Sequence, residues 1–374
     1  MMPVQFSLMH PQWRPSHRAK RRLQLQETII NHPINRRQVL GAALAVPALG
    51  IAPSSVTAQA KAERVTIRYG YLPVPTVPLY AAIAHDLLER ENIDLQLIKF
   101  ASGPAAFQAM QAGSIDAAQG GIGPYYMATT RGLDIRWVYT YGDYSPIEGL
   151  VVTKGSKVRD FKELKGKKIT YPNASSQHLA HLYALRRAGM NIGDIEIVPL
   201  APPQGLAAVL NGDVEGGWFW DPFVSQAVEK GATRIIVNKD LGAYDPFGFA
   251  ATTKFLSENK NVEGLGRMLR AMAEGQKRFA SDPGPTLDKI KSITGIELPL
   301  TQQIIKGVEW YTLQNQLEPD HPLSMANPAN LAKGAGQVLK DRIEEPALWG
   351  QMITKRGNIA EFLDNRPLKL ALGK

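Results

Sequence analysis

The chain contains no cysteine. This excludes disulfides, thiolate nucleophiles, Cys-ligated zinc and a lipidated N-terminal Cys. Beyond the N-terminal segment no apolar run reaches the roughly 18 residues of a membrane span. The hydrolase and nucleotide-binding patterns HExxH, GxSxG and the P-loop are also absent. Acidic residues are scarce at the start. Residues 1–60 hold seven basic residues and a single acidic one, Glu27. The formal charge of +9 therefore falls to +3 for the remainder, with 36 basic against 33 acidic residues. That is too little for a nucleic-acid footprint.

What the first 60 residues do contain reads as an export signal. NRRQVLGAALAVPALGIA places Arg36-Arg37 ahead of a moderately apolar run, Gly41 to Ala52, and Ala58-Gln59-Ala60 offers small residues of the kind a signal peptidase reads. The paired arginines point to the twin-arginine route, with a Sec signal as the alternative. The expected mature chain begins near Lys61, in the periplasm.

From Val65 onward short β-rich runs alternate with helical patterns. VTIRYGYL (65–72) and IDLQLIKF (93–100) read as strands, and VPLYAAIAHDLLER (77–90) has helical apolar spacing. A second series starts after GLVVTKGS (149–156), and residues 254–364 read as almost wholly helical. The expectation is an α/β fold with largely parallel strands. Two α/β units joined by two extended crossings, at 149–155 and 246–253, would form two lobes with a cleft between them, a favoured place for a small molecule.

The unusual residues lie at the ends of these strands. Ser175 or Ser176 can cap the helix that follows Asn173-Ala174. The free N–H groups and dipole of that helix start can hold an oxyanion, or the turn is simply a capped helix. His178, on the first turn, either donates to a ligand or packs. With His181 it has no third partner, so no metal is expected. Ser102-Gly103-Pro104 and Gly121-Ile122-Gly123-Pro124-Tyr125 open two more helices, with Pro124 expected at the first helical position. In GGWFWDPF (216–223), Trp218 and Trp220 share one strand face and Phe219 takes the other. Phe219 is expected in the core, Trp220 at the cleft, and Asp221 at the next helix start, as a cap or as a receiver of a ligand amine.

The long run from KGKKITYPNASSQHLAHLYALRRAG through PPQGLAAVLNG to GDVEGGWFWDP, with FASGPAAFQAMQAGSIDAAQGGIGP upstream, resembles periplasmic binding proteins for taurine, aliphatic sulfonates and nitrate, which serve ATP-driven importers. The resemblance covers roughly residues 65–255. It implies a type II periplasmic binding-protein fold, with two α/β lobes joined by two hinge crossings and a helical C-terminal extension. Lobe 1 would span 64–150, lobe 2 would span 151–247, and 248–374 would return and complete lobe 1. It further implies a small organic anion as ligand, a sulfonate first, held without cofactor or metal by a monomer that delivers it to a membrane permease and ATPase.

By the same resemblance, Pro75 and Thr76 in the loop after the first strand belong to the ligand site, as do Ser102, Gly103, Gly123, Tyr125, Ser175, Ser176, His178 and Trp220. Glu148 stands where the family carries a glutamate beside the first crossing, either on the ligand or within the hinge. Phe247 occupies the place of an acidic residue that suits the amine of taurine, with Asp245 two positions earlier. A less polar sulfonate tail fits Phe247 better. Relatives on this fold that act on sulfinates or make pyrimidine precursors depend on cysteine, so an enzyme is disfavoured. A sensor that delivers no solute would share every feature named.

Overall fold

The alternating run Val65–Tyr71 becomes β1, whose Val65, Ile67 and Tyr69 are buried. It pairs in parallel with β2 (Ile93–Lys99), Val65 opposite Ile93 and Tyr71 opposite Lys99. The structure is a computed structural model, and it describes residues 62–242, 244–318, 325 and 359–374. The export signal and part of the expected helical tail lie outside the described residues.

Between β1 and β2 lie α1 (Val77–Ala84) and α2 (Leu87–Arg90). Then follow α3 (Gly103–Gln111), β3 (Ala117–Gly121), α4 (Ile122–Thr130) and β4 (Ile135–Asp143). The second series runs β5 (Glu148–Val152), β6 (Lys168–Thr170), α5 (Ser176–Ala188), β7 (Glu196–Val198), α6 (Pro202–Asn211), β8 (Gly216–Trp220), α7 (Phe223–Glu229) and β9 (Thr233–Val237). The chain returns through β10 (Pro246–Thr252) and continues as α8 (Thr253–Leu256), α9 (Asn259–Ser281), α10 (Gly284–Thr294), α11 (Leu298–Gly307) and β11 (Glu309–Trp310). Two short helices close the described chain, α12 (Ile359–Phe362) and α13 (Arg366–Ala371).

The strands form two mixed sheets. One has the order β11-β4-β10-β3-β1-β2 and the other β7-β6-β8-β5-β9. Each contains one antiparallel strand that arrives from the other half. β10 lies between β3 and β4, and β5 between β8 and β9. This revises the expected crossings. The stretches 149–155 and 246–253 begin as strands inside a sheet, and the chain passes between sheets just before them, at residues 144–147 and between β9 and β10. The passages are tied to each other. The N–H of Tyr144 donates to the carbonyl of Asp245 (3.0 Å), and the N–H of Asp245 donates to Asp143 Oδ1 (3.0 Å).

The cores follow from side-chain alternation. Trp218 joins the main core, whereas Phe219 faces the opposite side among Val151, Val209, Val214 and Val224. The six-stranded sheet has an aromatic interior of Tyr69, Trp137, Tyr139, Tyr141 and Phe249. The long α9 packs on α1 so closely that a Cβ on Gly275 would lie 2.6 Å from Ala82 N. Arg267 fixes α9 to the start of the chain's first α/β unit, donating to the carbonyls of Glu91 (2.7 Å) and Glu63 (2.8 Å). The helices after β10 thus pack with the six-stranded sheet.

Candidate ligand cleft between the two sheets

A narrow cleft of about 430 Å³, open on one side, lies where the strand ends of the two sheets face each other. The chain's first half contributes Leu72, Val74, Gly103, Pro104, Phe107, Gly120, Gly121, Pro124 and Tyr125. Across from these stand Glu148, Ser175, Ser176 and Trp220, with Tyr144 and Phe247 at the junction.

The wall of this cleft is mostly aromatic and aliphatic. Phe107 meets Tyr125 edge-on, with ring centroids 4.7 Å apart, and Tyr144 stacks on Phe247 at 4.3 Å. Tyr144 is fixed by donating its hydroxyl to the carbonyl of Pro75 (3.1 Å). No Lys, Arg or His is among the lining residues.

The polar end is the start of α5. Ser175 is the N-cap, and its Oγ accepts from the N–H of His178 (3.3 Å) while donating to the carbonyl of Pro172 (2.6 Å). That hydroxyl proton is used locally, on the carbonyl of Pro172. The first-turn N–H groups of Ser176 and Gln177 have no preceding carbonyl within the helix. With the Ser176 hydroxyl they are the donors this turn offers. The start of α3 at Ser102-Gly103 faces the same space through Gly103 and Pro104.

The other polar feature is acidic and buried. Glu148 opposes Trp220 in the β5–β8 register and is only 2% exposed. Asp245 is equally buried, and its carboxyl covers the Cα of Gly121, where an added Cβ would sit 2.6 Å from Oδ1. Burial, and next the charge of Asp245, hold the Glu148 carboxyl well above the ordinary carboxylate range. Hydrogen bonds from the amides of Asn238 (2.9 Å to Oε2) and Gln177 pull the other way. This direction favours a proton held between the two carboxyls.

Of the expected site residues, the cleft gathers Gly103, Tyr125, Glu148, Ser175, Ser176, Trp220 and Phe247. Seven others are placed elsewhere. Pro75 acts through the backbone bond from Tyr144. Thr76 is fully buried, its hydroxyl 3.4 Å from Val74 O and Gln119 Oε1. Ser102 caps α3 by position, without a side-chain bond. Gly123 lies where α4 meets α5, and a Cβ there would be 2.6 Å from Leu179 Cδ1. His178 stacks on Tyr171 at 4.8 Å. Asp221 accepts from the N–H of Ser225 (2.8 Å) through Oδ1 and borders a separate groove with Arg234, Glu297 and Gln303. Asp245 is beneath the cleft wall, against Gly121 and Glu148.

Two aromatic lining residues escaped the sequence reading, Phe107 and Tyr144. Phe107 lies four positions after Gly103 on α3, so helical spacing alone puts it on the same face. Tyr144 opens the first passage between sheets. Pro124 is the third residue of α4, not the first, because the helix already begins at Ile122. Its missing N–H is still one that a helix start leaves unpaired.

Comparison with known proteins gives a consistent picture. Residues 75–285 match the protein family described as NMT1/THI5 like. A protein of Escherichia coli strain K12 named for aliphatic sulfonate binding is 30% identical over 67% of this chain and 78% of its own length. The taurine-binding periplasmic protein of the same organism is 26% identical over 86% of this chain and 98% of its own. Among solved structures, the alkanesulfonate-binding protein SsuA from Xanthomonas axonopodis pv. citri, bound to MOPS, superposes with a TM-score of 0.66 at 22% identity, covering 81% of this chain and 99% of its own. The two-sheet architecture is that of periplasmic binding proteins, and the chain belongs to the NMT1/THI5-like family.

Proposed function

We propose that this chain is the periplasmic solute-binding component of an ATP-driven importer, and that it captures a small organosulfonate with an apolar tail. One observation carries the reading. The cleft combines a capped helix start at Ser175-Ser176 with a wall of Phe107, Tyr125, Tyr144, Trp220 and Phe247, and among the described residues no basic side chain lines it. Oriented N–H groups suit a spread anionic charge such as a sulfonate without a full counter-ion. The aromatic wall takes the tail and excludes water, which strengthens those dipoles. The relatives named above bind sulfonates and taurine, and neither is named as an enzyme. Binding would favour a closed arrangement of the two sheets, which a permease reads. No step of this function requires catalysis.

A second reading has its own observation. The buried pair Glu148 and Asp245 at the junction could receive an ammonium, which would make the ligand an aminosulfonate such as taurine.

Thermal unfolding of the purified protein with taurine, butanesulfonate, an aromatic sulfonate, nitrate, bicarbonate and butyrate separates these. Ligand at about 100-fold its dissociation constant adds roughly 2.7 kcal/mol. Stabilisation by butanesulfonate and the aromatic sulfonate but not butyrate is expected. Stabilisation by taurine alone selects the second reading. Stabilisation by butyrate, nitrate or bicarbonate with no response to any sulfonate overturns both.

A further inference from the structure

The turn that caps α5 holds a titratable residue where such turns normally hold a permanent acceptor. In a capping box, the N-cap hydroxyl accepts from the backbone N–H of the third helical residue, whose Glu or Gln side chain reaches back to the start of the turn. Here Ser175 Oγ accepts from the N–H of His178, the third residue of α5. The returning acceptor is an imidazole, since the N–H of Ala174 donates to His178 Nδ1 (3.2 Å).

We propose that His178 is a positioning residue of the anion cradle, that its neutral Nδ1 holds the Ala174–Ser176 turn in its binding shape, and that protonation of this ring releases the turn and weakens ligand capture.

Three observations support this assignment. First, Ala174 has φ 57°, a left-handed conformation that a residue with a Cβ rarely adopts, so something must hold it there. The Ala174-to-His178 bond ties this residue to the helix, beside the bond from Ser175 Oγ to the carbonyl of Pro172. Second, the ring is oriented by stacking on Tyr171 of β6, with centroids 4.8 Å apart and planes 30° apart. An accepting Nδ1 places the single ring proton on Nε2. A second proton would set N–H against the N–H of Ala174. Third, the surroundings disfavour the cation. The charged and titratable groups facing the ring are the phenol of Tyr171, His181 one turn along α5, and Arg131 at the end of α4, which belongs to the other sheet. Burial first, then the charge of Arg131, lower the His178 pKa to about 4. His181, buried beside it, falls to about 3 and adds no charge.

The inference rests on the sulfonate reading only for its choice of probe. Because the unliganded turn holds the ring at about 4, butanesulfonate affinity stays level from pH 7.5 to about pH 5 and falls about twofold by pH 4. Calorimetric titration across that range in the wild type, His178→Gln and His178→Ala tests it. His178→Gln supplies an amide acceptor, so it should bind more tightly at pH 7.5 than His178→Ala does and lose most of the acid decline. The groups at Glu148 and Asp245 remain in that variant, so their own pH response is subtracted. His178→Ala should bind weakly at every pH. Nitrogen-15 NMR of the unliganded wild type reads the ring directly, and an Nε2-protonated tautomer that stays neutral below pH 6 is expected.

An Nδ1-protonated tautomer, a His178 that titrates between pH 6 and 7, an affinity that rises on acidification, or equal pH profiles for the wild type and His178→Gln overturns the proposal. Should butanesulfonate bind at no pH, the sulfonate reading fails and the NMR result decides the role of His178 alone.

Discussion

Replacing Glu148 by Gln removes one proton from the junction of the two sheets without removing the shape. Glu148 is buried, its Oε2 accepts from Asn238, and its carboxyl faces Asp245. An acid whose folded-state pKa is raised keeps a proton that the unfolded chain releases. The stability it confers is complete below its unfolded value, near 4.5, and is lost as the pH rises through the folded value. One proton of difference gives a slope of about 1.4 kcal/mol per pH unit inside that window. For a chain of this size that corresponds to roughly 2–4 °C in Tm per unit. Gln has no proton to lose. Its carbonyl can still accept from Asn238, and its amide can donate to Asp245.

Scanning calorimetry of both proteins without ligand, from pH 5 to pH 8.5, checks the expectation. The two should melt within about a degree of each other at pH 5, and Glu148→Gln should melt higher at pH 8, with a flatter profile. A variant that melts lower at pH 8, or that keeps the wild-type slope, refutes the argument, because Glu148 would then be ionised and held by a favourable partner. The same variant bears on the ligand. An apolar sulfonate should bind it about as well as it binds the wild type, since Gln and a protonated Glu148 are both uncharged. Taurine held through its ammonium should lose about 2 kcal/mol or more, in keeping with a charged hydrogen bond removed from a buried site.

Two further substitutions test the cleft itself. Gly123→Ala adds a Cβ 2.6 Å from Leu179 Cδ1, the flexible end of a side chain on the facing helix. Unliganded stability should rise by up to about 1 kcal/mol through helix propensity. Ligand affinity, measured by titration calorimetry, should fall by about 1 kcal/mol or more as α4 and α5 are held apart; unchanged affinity would mean these helices do not approach on binding. Phe107→Ala should weaken butanesulfonate by roughly 1–2 kcal/mol of lost apolar contact and leave methanesulfonate nearly untouched. Equal losses for both tails would place Phe107 away from the tail.

The features legible in the sequence were those set by local periodicity. The period of two in GGWFWD separates Phe219 from Trp218 and Trp220, and the structure separates them in the same way. Ser175 announces a helix start because the N–H groups behind it need an acceptor. What was not legible depends on partners distant in sequence. GLVV and PFGFAATT read as extended, but extended backbone is the same in a hinge crossing and in a sheet. Only their pairing with β8 and β9, and with β3 and β4, distinguishes the two. The same limit explains Asp221 and His178. A carboxylate ahead of a helix and an imidazole on its first turn are compatible with ligand contact by type and spacing. Whether each turns toward the cleft or back to its own backbone depends on competition between a ligand that may leave and an N–H that cannot. In Asp221 the N–H of Ser225 wins, and in His178 the N–H of Ala174 does. The cleft keeps for its ligand the groups whose local needs are already met by geometry. These are the first N–H groups of α5, which no carbonyl in the helix can reach, and aromatic faces that need no partner.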